Sequence, residues 1–268
     1  MNLFCAVFAA FCLVFRASQI TPAPTVTPTP TPVPIAWPAR IPILLYHYVE
    51  YVEDKGDTIR QSLNITPYTF DKQLQTLVDA GYTFLTAKDL GELFDGKITK
   101  LPEKSVLITF DDGYRDFYTD VYPILQKYNA KATVYVIAGF VYHRNYMTEA
   151  QLKEIAASGL VDVGAHTVHH VGLTNADKKT EKKEVEESKK ILEDILGTSV
   201  VSFAYPDGSY DDYAIQAVRD AGFTTAVSTK PGIENGIINR YALFRLRSGG
   251  RIGETLLQYF NQKTFKSW

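Results

Sequence analysis

Ser105-Val-Leu-Ile-Thr-Phe-Asp111-Asp112-Gly113-Tyr114 is an apolar, β-branched run that stops at two adjacent carboxylates and a glycine. The run reads as a buried strand, and the acidic pair with its glycine as that strand's end. Two carboxylates side by side at a strand tip repel each other, so a bare buried pair would take up a proton, and a cation beside them removes that cost. A plain acidic turn is the competing reading. What favours the cation is Val161-Asp-Val-Gly-Ala-His166-Thr-Val-His169-His170, where a second apolar run ends in histidines with metal-ligand spacing.

Outward from these two strands, apolar runs alternate with amphipathic stretches from Arg40 to the C-terminus. Ile41-Pro-Ile-Leu-Leu-Tyr-His47-Tyr-Val reads as a buried strand carrying a histidine near its end. Thr66-Pro67 reads as the N-cap and first-turn proline of a helix with Phe70, Leu74 and Leu77 on one face. A strand over 83–86 and a short helix over 87–94 precede the Asp-Asp strand. After it come a helix over 115–128 burying Val121, Leu125 and Tyr128, a strand over 132–138, a helix over 148–157 and the histidine strand. The 178–196 stretch predicts a charged helix with a thin apolar stripe of Val185, Leu192 and Ile195. Its Lys/Glu run reads as a solvated face with no function. A strand over 201–205 ends at Pro206-Asp207-Gly208. A helix over 211–221, strands over 224–228 and 242–247, and a last helix over 253–260 follow.

This alternation predicts a parallel sheet covered by helices, open or closed into a barrel. In either arrangement, ligands gather at the C-terminal ends of the strands. His47, the Asp pair, the His cluster and the Pro-Asp-Gly turn all fall at such ends.

The 268 residues suffice for one large domain or two small ones, and 46% hydrophobic content allows a sizeable core. A net charge of −2 points to neither nucleic acid nor an anionic membrane surface as partner. Both cysteines, Cys5 and Cys12, lie near the N-terminus, so no disulfide framework and no cysteine nucleophile serve the rest of the chain. Of five histidines (His47, His143, His166, His169, His170), three share one short stretch.

Residues 3–15 are an apolar run too short to span a bilayer comfortably. It reads as the h-region of a secretion signal within residues 1–20, with an uncleaved anchor as the alternative. Prolines at every second or third position hold 21–36 extended as a Pro/Thr linker. The catalytic domain is then 37–268, exported or held at the cell surface, touching membrane only through the N-terminal segment and expected to be a monomer.

On a helical turn, His166 and His170 would present both imidazoles on one face to a single cation. His169, three from His166, could also reach, and spacing alone does not choose between them. Two imidazoles and one carboxylate leave a coordination position for water, the ligand count of a catalytic zinc.

Thr109-Phe-Asp111-Asp112-Gly113 together with His166-Thr-Val-His-His170 resembles the NodB-homology polysaccharide deacetylases, carbohydrate esterase family 4. The resemblance spans residues 40 to 250, and Phe203-Ala-Tyr-Pro206-Asp207-Gly208 is similar to that family's third motif. It implies a distorted, incomplete (β/α) barrel of about seven strands. It also implies Asp111 as general base, and Asp112, His166 and His170 as ligands of Zn2+ or another divalent ion such as Co2+ or Ni2+, with His169 a spacer. The third motif implies a backbone N–H, here that of Asp207, holding the tetrahedral oxyanion.

Three positions depart from the family pattern. Ala204 stands where an arginine orients the base, Asp207 stands where a tyrosine follows the proline, and the late histidine that supplies the acid is missing. Ala242-Leu-Phe-Arg245-Leu-Arg247 offers Arg245, or alternatively Arg247, as the replacement for that arginine, against a plain surface charge. Leu45-Tyr-His47-Tyr-Val is similar to the first strand of exported poly-N-acetylglucosamine deacetylases, which makes His47 the candidate acid, against a core histidine. Tyr142 and Tyr146 are candidates for a groove wall, against simple loop packing.

The implied activity is metal-dependent N-deacetylation of N-acetylglucosamine-containing polysaccharide such as peptidoglycan, poly-N-acetylglucosamine or a chitin-like polymer. An O-deacetylase such as an acetylxylan esterase, and a catalytically impaired glycan-binding module, are the alternatives.

Overall fold

The computed structural model describes residues 35–54 and 56–266. The expected signal or anchor segment, and the Pro/Thr linker up to residue 34, lie outside them. Eight parallel strands form the main sheet: β1 (Ile43–Tyr46), β2 (Thr83–Leu85), β3 (Ser105–Phe110), β4 (Ala132–Val136), β5 (Val161–Ala165), β6 (Ser202–Ala204), β7 (Thr225–Pro231) and β8 (Leu243–Arg245). Seven of them run β8-β7-β6-β5-β4-β3-β1 around a ring. The residue after β8 completes it: Leu45 N–H donates to Leu246 O at 2.9 Å and Leu246 N–H to Ile43 O at 2.8 Å. β2 stands outside the ring order, paired with the first half of β3, whereas β4 pairs with the second half. The result is a nearly closed seven-stranded (β/α) barrel, distorted where β2 and β4 share one edge of β3.

Strand parity decides what faces inward. Ile43, Leu107, Tyr135, Ala204, Val227 and Leu243 share one apolar cluster inside the ring. Ala87, Leu90, Leu93 and Phe94 of the helix Ala87–Phe94 join it and plug the end at which the strands begin. The residues between them, such as Leu44, Ile108, Val134 and Phe203, face the surrounding helices. Continuing the inward parity toward the other end gives His47 after β1, Asp111 after β3, and Arg245 then Arg247 on and after β8. Strand periodicity alone therefore aims these four at one barrel mouth.

Most helices form close to the ranges that the sequence predicts. Thr66 Oγ1 accepts from Thr69 N–H ahead of α1 (Pro67–Asp79), whose Phe70, Leu74 and Leu77 are fully buried. The stretch over 115–128 is not one regular helix. A wide turn over Phe117–Val121 precedes a short α-helix, Tyr122–Tyr128, and Tyr122 N–H donates back to Phe117 O. Pro123 lies inside this stretch and has no N–H for the ladder, so one turn widens instead of breaking. Tyr128 is only half-buried. The helix Thr58–Leu63, and two strand pairs, Tyr48–Val49 with Asn64–Ile65 and Ala39–Arg40 with Glu234–Asn235, are too short to show in periodicity. No helix among the described residues is long and apolar enough to cross a membrane.

Candidate active site

The mouth of the barrel is built where β3 runs out. Asp111 N–H still donates to Tyr46 O at 3.0 Å, so Asp111 keeps the inward strand direction. The backbone then turns left-handed at Asp112 (φ 74°) and Gly113 (φ 78°). A side chain at 113 would press on Val136 atoms 3.2 Å from its Cβ, so glycine is required there twice over. The turn separates the two carboxylates and gives them different partners.

Asp111 meets Arg245. Nη1 and Nη2 of the guanidinium each donate to one carboxylate oxygen at 2.7 Å, while Nε donates to Ser228 O at 2.7 Å. Arg245 is fully buried and Asp111 nearly so. Burial alone would raise the Asp111 pKa, but the Arg245 guanidinium overrides it and holds the carboxyl well below the usual carboxylate range. Asp111 is therefore an ionised carboxylate in a fixed rotamer. Arg245, not Arg247, makes this pair.

Asp112 meets the histidines. His166 Nε2 lies 3.4 Å and His170 Nε2 3.5 Å from the same oxygen, Asp112 Oδ1. That oxygen is buried and has no hydrogen-bond partner. Donor atoms of the three residues all lie within 4.8 Å of one another. His166 Nδ1 faces Ala204 O at 2.7 Å, an acceptor, so it carries its proton and leaves Nε2 free as a ligand. Burial pushes the His166 pKa down, but the two aspartates outweigh it and raise it. A proton there does weakly what a divalent cation does better, and an orphaned carboxylate oxygen between two imidazoles fits such an ion.

The histidine spacing works for a different reason from the one expected. Residues 166–170 form a loop, not a helical turn, with Thr167 (φ 62°) and His170 (φ 57°) left-handed. His169 turns away: its Nδ1 pairs with Glu184 Oε1 at 2.7 Å. Glu184 also accepts from Val168 N–H (2.8 Å) and His169 N–H (2.9 Å), clamping the loop that carries both candidate ligands. This residue belongs to the charged helix Lys178–Leu196, whose Lys/Glu run is thus not all solvated face. Glu181, Glu184, Val185, Ser188 and Leu192 form one buried stripe, so Glu184 sits at a core-facing position of the helical period. That position was the available signal.

His47 is half-buried and near enough to both aspartates for their charges to act on it. Burial lowers its pKa, the aspartates oppose this, and Arg245 and Arg247 reinforce it. Asp207 lies exposed at the rim in a left-handed conformation (φ 56°), and its charge acts on His170. The hydrogen bonds of its turn are made by Gly208 and Ser209 N–H, not by that of Asp207. Tyr48 stacks on Tyr114 at 4.0 Å and Tyr114 lies 5.0 Å from Tyr146, forming an aromatic wall on which the Asp112 charge acts. Tyr142 instead bonds Glu149 at the surface. Nothing in the sequence marks Tyr48 and Tyr114 as wall residues, since they stand beside the more conspicuous His47 and Asp111-Asp112-Gly113.

The chain matches the family model for polysaccharide deacetylases over residues 99–226. YxkH of Bacillus subtilis, whose name places it among the polysaccharide deacetylases, is 34% identical over 223 residues, 83% of this chain and 76% of that protein. The poly-β-1,6-N-acetyl-D-glucosamine N-deacetylase of Staphylococcus aureus is 29% identical over 215 residues, 75% of this chain and 71% of the relative. In structure, the Streptococcus pyogenes deacetylase PplD, solved with acetate, superposes with a TM-score of 0.76 at 35% identity, covering 82% of this chain and 98% of PplD. By sequence and by barrel, the chain belongs to the polysaccharide deacetylases, hydrolases of carbohydrate esterase family 4.

Proposed function

We propose that this deacetylase removes N-acetyl groups from N-acetylglucosamine-containing polysaccharide, releasing acetate and leaving a free amine on the polymer. The observation that carries this reading is the buried, partnerless Asp112 Oδ1 between His166 and His170, next to the separately pinned Asp111 carboxylate. The name of the staphylococcal relative, a poly-β-1,6-N-acetyl-D-glucosamine N-deacetylase, supports the substrate class.

Asp112, His166 and His170 would hold a divalent transition metal, Zn2+ or an ion such as Co2+ or Ni2+. Such an ion supplies Lewis acidity, lowering the pKa of water toward neutrality and polarising the acyl oxygen. Asp111 accepts the proton of the attacking water, its rotamer set by Arg245. The Asp207 N–H contributes to holding the developing oxyanion. As the C–N bond breaks, the amine needs a proton. His47 donates it as an imidazolium, a form that the charges of Asp111 and Asp112 favour against the burial that lowers its pKa. The apolar N-terminal run and the Pro/Thr linker support an exported enzyme, secreted or tethered at the cell surface.

The test is acetate release from poly-β-1,6-N-acetylglucosamine, chitin oligomers, peptidoglycan and acetylxylan, with and without chelator. Chelator-sensitive release from an N-acetylglucosamine polymer is expected. Release from acetylxylan alone would make the enzyme an O-deacetylase, and zinc binding without release from any polymer would favour a binding module.

A further inference from the structure

The reaction above makes no use of a cleft of about 740 Å³ beside the barrel mouth, lined by Arg247, Arg251, Lys263, Lys266, Gln262 and Thr264. Its volume falls in the range of about 300–1,000 Å³ usual for ligand sites. The chain as a whole carries a net charge of −2, yet the four charged side chains of this lining are all cations. Gathering like charges in a concave wall focuses a positive field outward, and an anion relieves their repulsion.

The cleft is built rather than incidental. The Arg251 guanidinium donates to Ser248 O at 2.9 Å and lies 4.2 Å over the Tyr259 ring. Arg40 ties down the segment leading to Lys263 through Phe260 O at 2.8 Å and Gln262 O at 3.3 Å. Arg247 joins the cleft to the site. It follows Arg245 by two residues, about 7 Å along an extended chain, and its charge acts on His47. A polymer seated at Asp111 would therefore pass along this wall.

Given the deacetylase reading, we propose that the cleft is a subsite for an anionic substituent of the polysaccharide, a phosphate or a carboxylate carried near the sugar that is deacetylated. The cations recognise the shared oxyanion chemistry, and Gln262 and Thr264 add neutral hydrogen-bonding groups.

The experiment compares kcat/KM of the zinc-loaded full chain on chitin tetramer with that on the same tetramer bearing phosphoryl or carboxymethyl groups, at low and high salt. At low salt, at least one anionic tetramer should be preferred by about tenfold, through KM, and salt should erode the preference. The phosphoryl and carboxymethyl arms tell the two anion sources apart. The exposed double change Lys263→Gln/Lys266→Gln should bring the preference toward one, and Arg251→Gln should act in the same direction. Equal or poorer turnover of both anionic tetramers, or a preference the lysine changes leave intact, overturns the subsite. Should no tetramer release acetate, the deacetylase reading is decided by the polymer screen above, separately from the cleft. Calorimetric binding of the phosphoryl and carboxymethyl tetramers then decides the cleft: binding weakened by the lysine changes upholds it, and absence of binding refutes it.

Discussion

Replacing Arg245 by methionine keeps an unbranched apolar stem but removes the guanidinium and its charge, leaving the Asp111 carboxylate buried without a partner. In the parent, two 2.7 Å hydrogen bonds satisfy that carboxylate, and neither partner is more than 3% exposed. Water therefore cannot replace the guanidinium. Breaking a buried ion pair from one side costs about 3–5 kcal/mol, which for a domain of this size lowers Tm by about 6–20 °C. Asp111→Asn should cost a similar amount, because it strands the guanidinium instead. The double variant should be less unstable than the sum of the two by several kcal/mol, since each change removes the charge the other leaves unpaired. Denaturant unfolding of the metal-free protein gives all four corners of this cycle. Turnover of zinc-loaded Arg245→Met should fall about 10²-fold, the effect of displacing a catalytic group by about 1 Å. A loss below about 1 kcal/mol with near-parental turnover would refute the reasoning, because that is how an exposed ion pair behaves.

Three further outcomes are expected. His47→Ala should depress turnover by about 10²–10⁴-fold if the imidazole is the acid, with zinc stoichiometry intact; an unchanged rate returns it to the core. Glu184→Gln should weaken zinc binding about 10–100-fold in chelator competition, in the manner of groups that orient metal ligands; affinity equal to the parent's would reduce Glu184 to a helix contact. Burial first, and Glu50 and Asp120 beyond it, push the Asp116 pKa up to about 7 against the lowering effect of the Val49 N–H. Since this pKa lies above the unfolded value, the folded state holds the extra proton, so this group's contribution to stability falls as pH rises from about 4 to about 7. Asp116→Asn should flatten that fall in denaturant titrations at successive pH values, and a parallel pH profile would assign the effect to other groups.

Strands that end in chemistry were plain from the sequence. Ser105–Phe110 is buried at every position, as a β-branched run inside a helix-covered sheet must be. The Thr66 cap was equally plain; Thr86 and Thr148 cap their helices as well, but the sequence pattern places them in a strand and inside a helix. What the sequence hid was backbone that leaves regular geometry. The approach of His166 to His170 depends on two left-handed residues in a loop, which the i, i+4 spacing imitates without causing. Ring closure is carried by Leu246, one residue past the last strand, and no pattern of side chains marks a backbone contact. Glu184 was hidden by its company, because a charged run such as Glu181-Lys182-Lys183-Glu184 reads as solvent-facing until helical phase is counted position by position.

The missing arginine at position 204 is, on this geometry, no sign of decay. A closed ring brings the inward-facing ends of different strands to one point, so a guanidinium can reach the Asp111 carboxylate from β8 as well as from β6. Arg245 does so from β8 with both nitrogens engaged. Position 204 meanwhile keeps a task that needs only backbone, its carbonyl holding His166 Nδ1 at 2.7 Å. A long side chain at 204 would point into a barrel interior that Tyr135 and Arg245 already fill; both are fully buried. An arginine added at 204 alone would therefore have to displace Arg245 or remain unpaired in an apolar ring. Ala204→Arg in the Arg245→Ala background is the informative case. Recovery of turnover there, and loss of stability when Ala204→Arg is made alone, would show that the base needs a guanidinium at one place in space, whichever strand provides it.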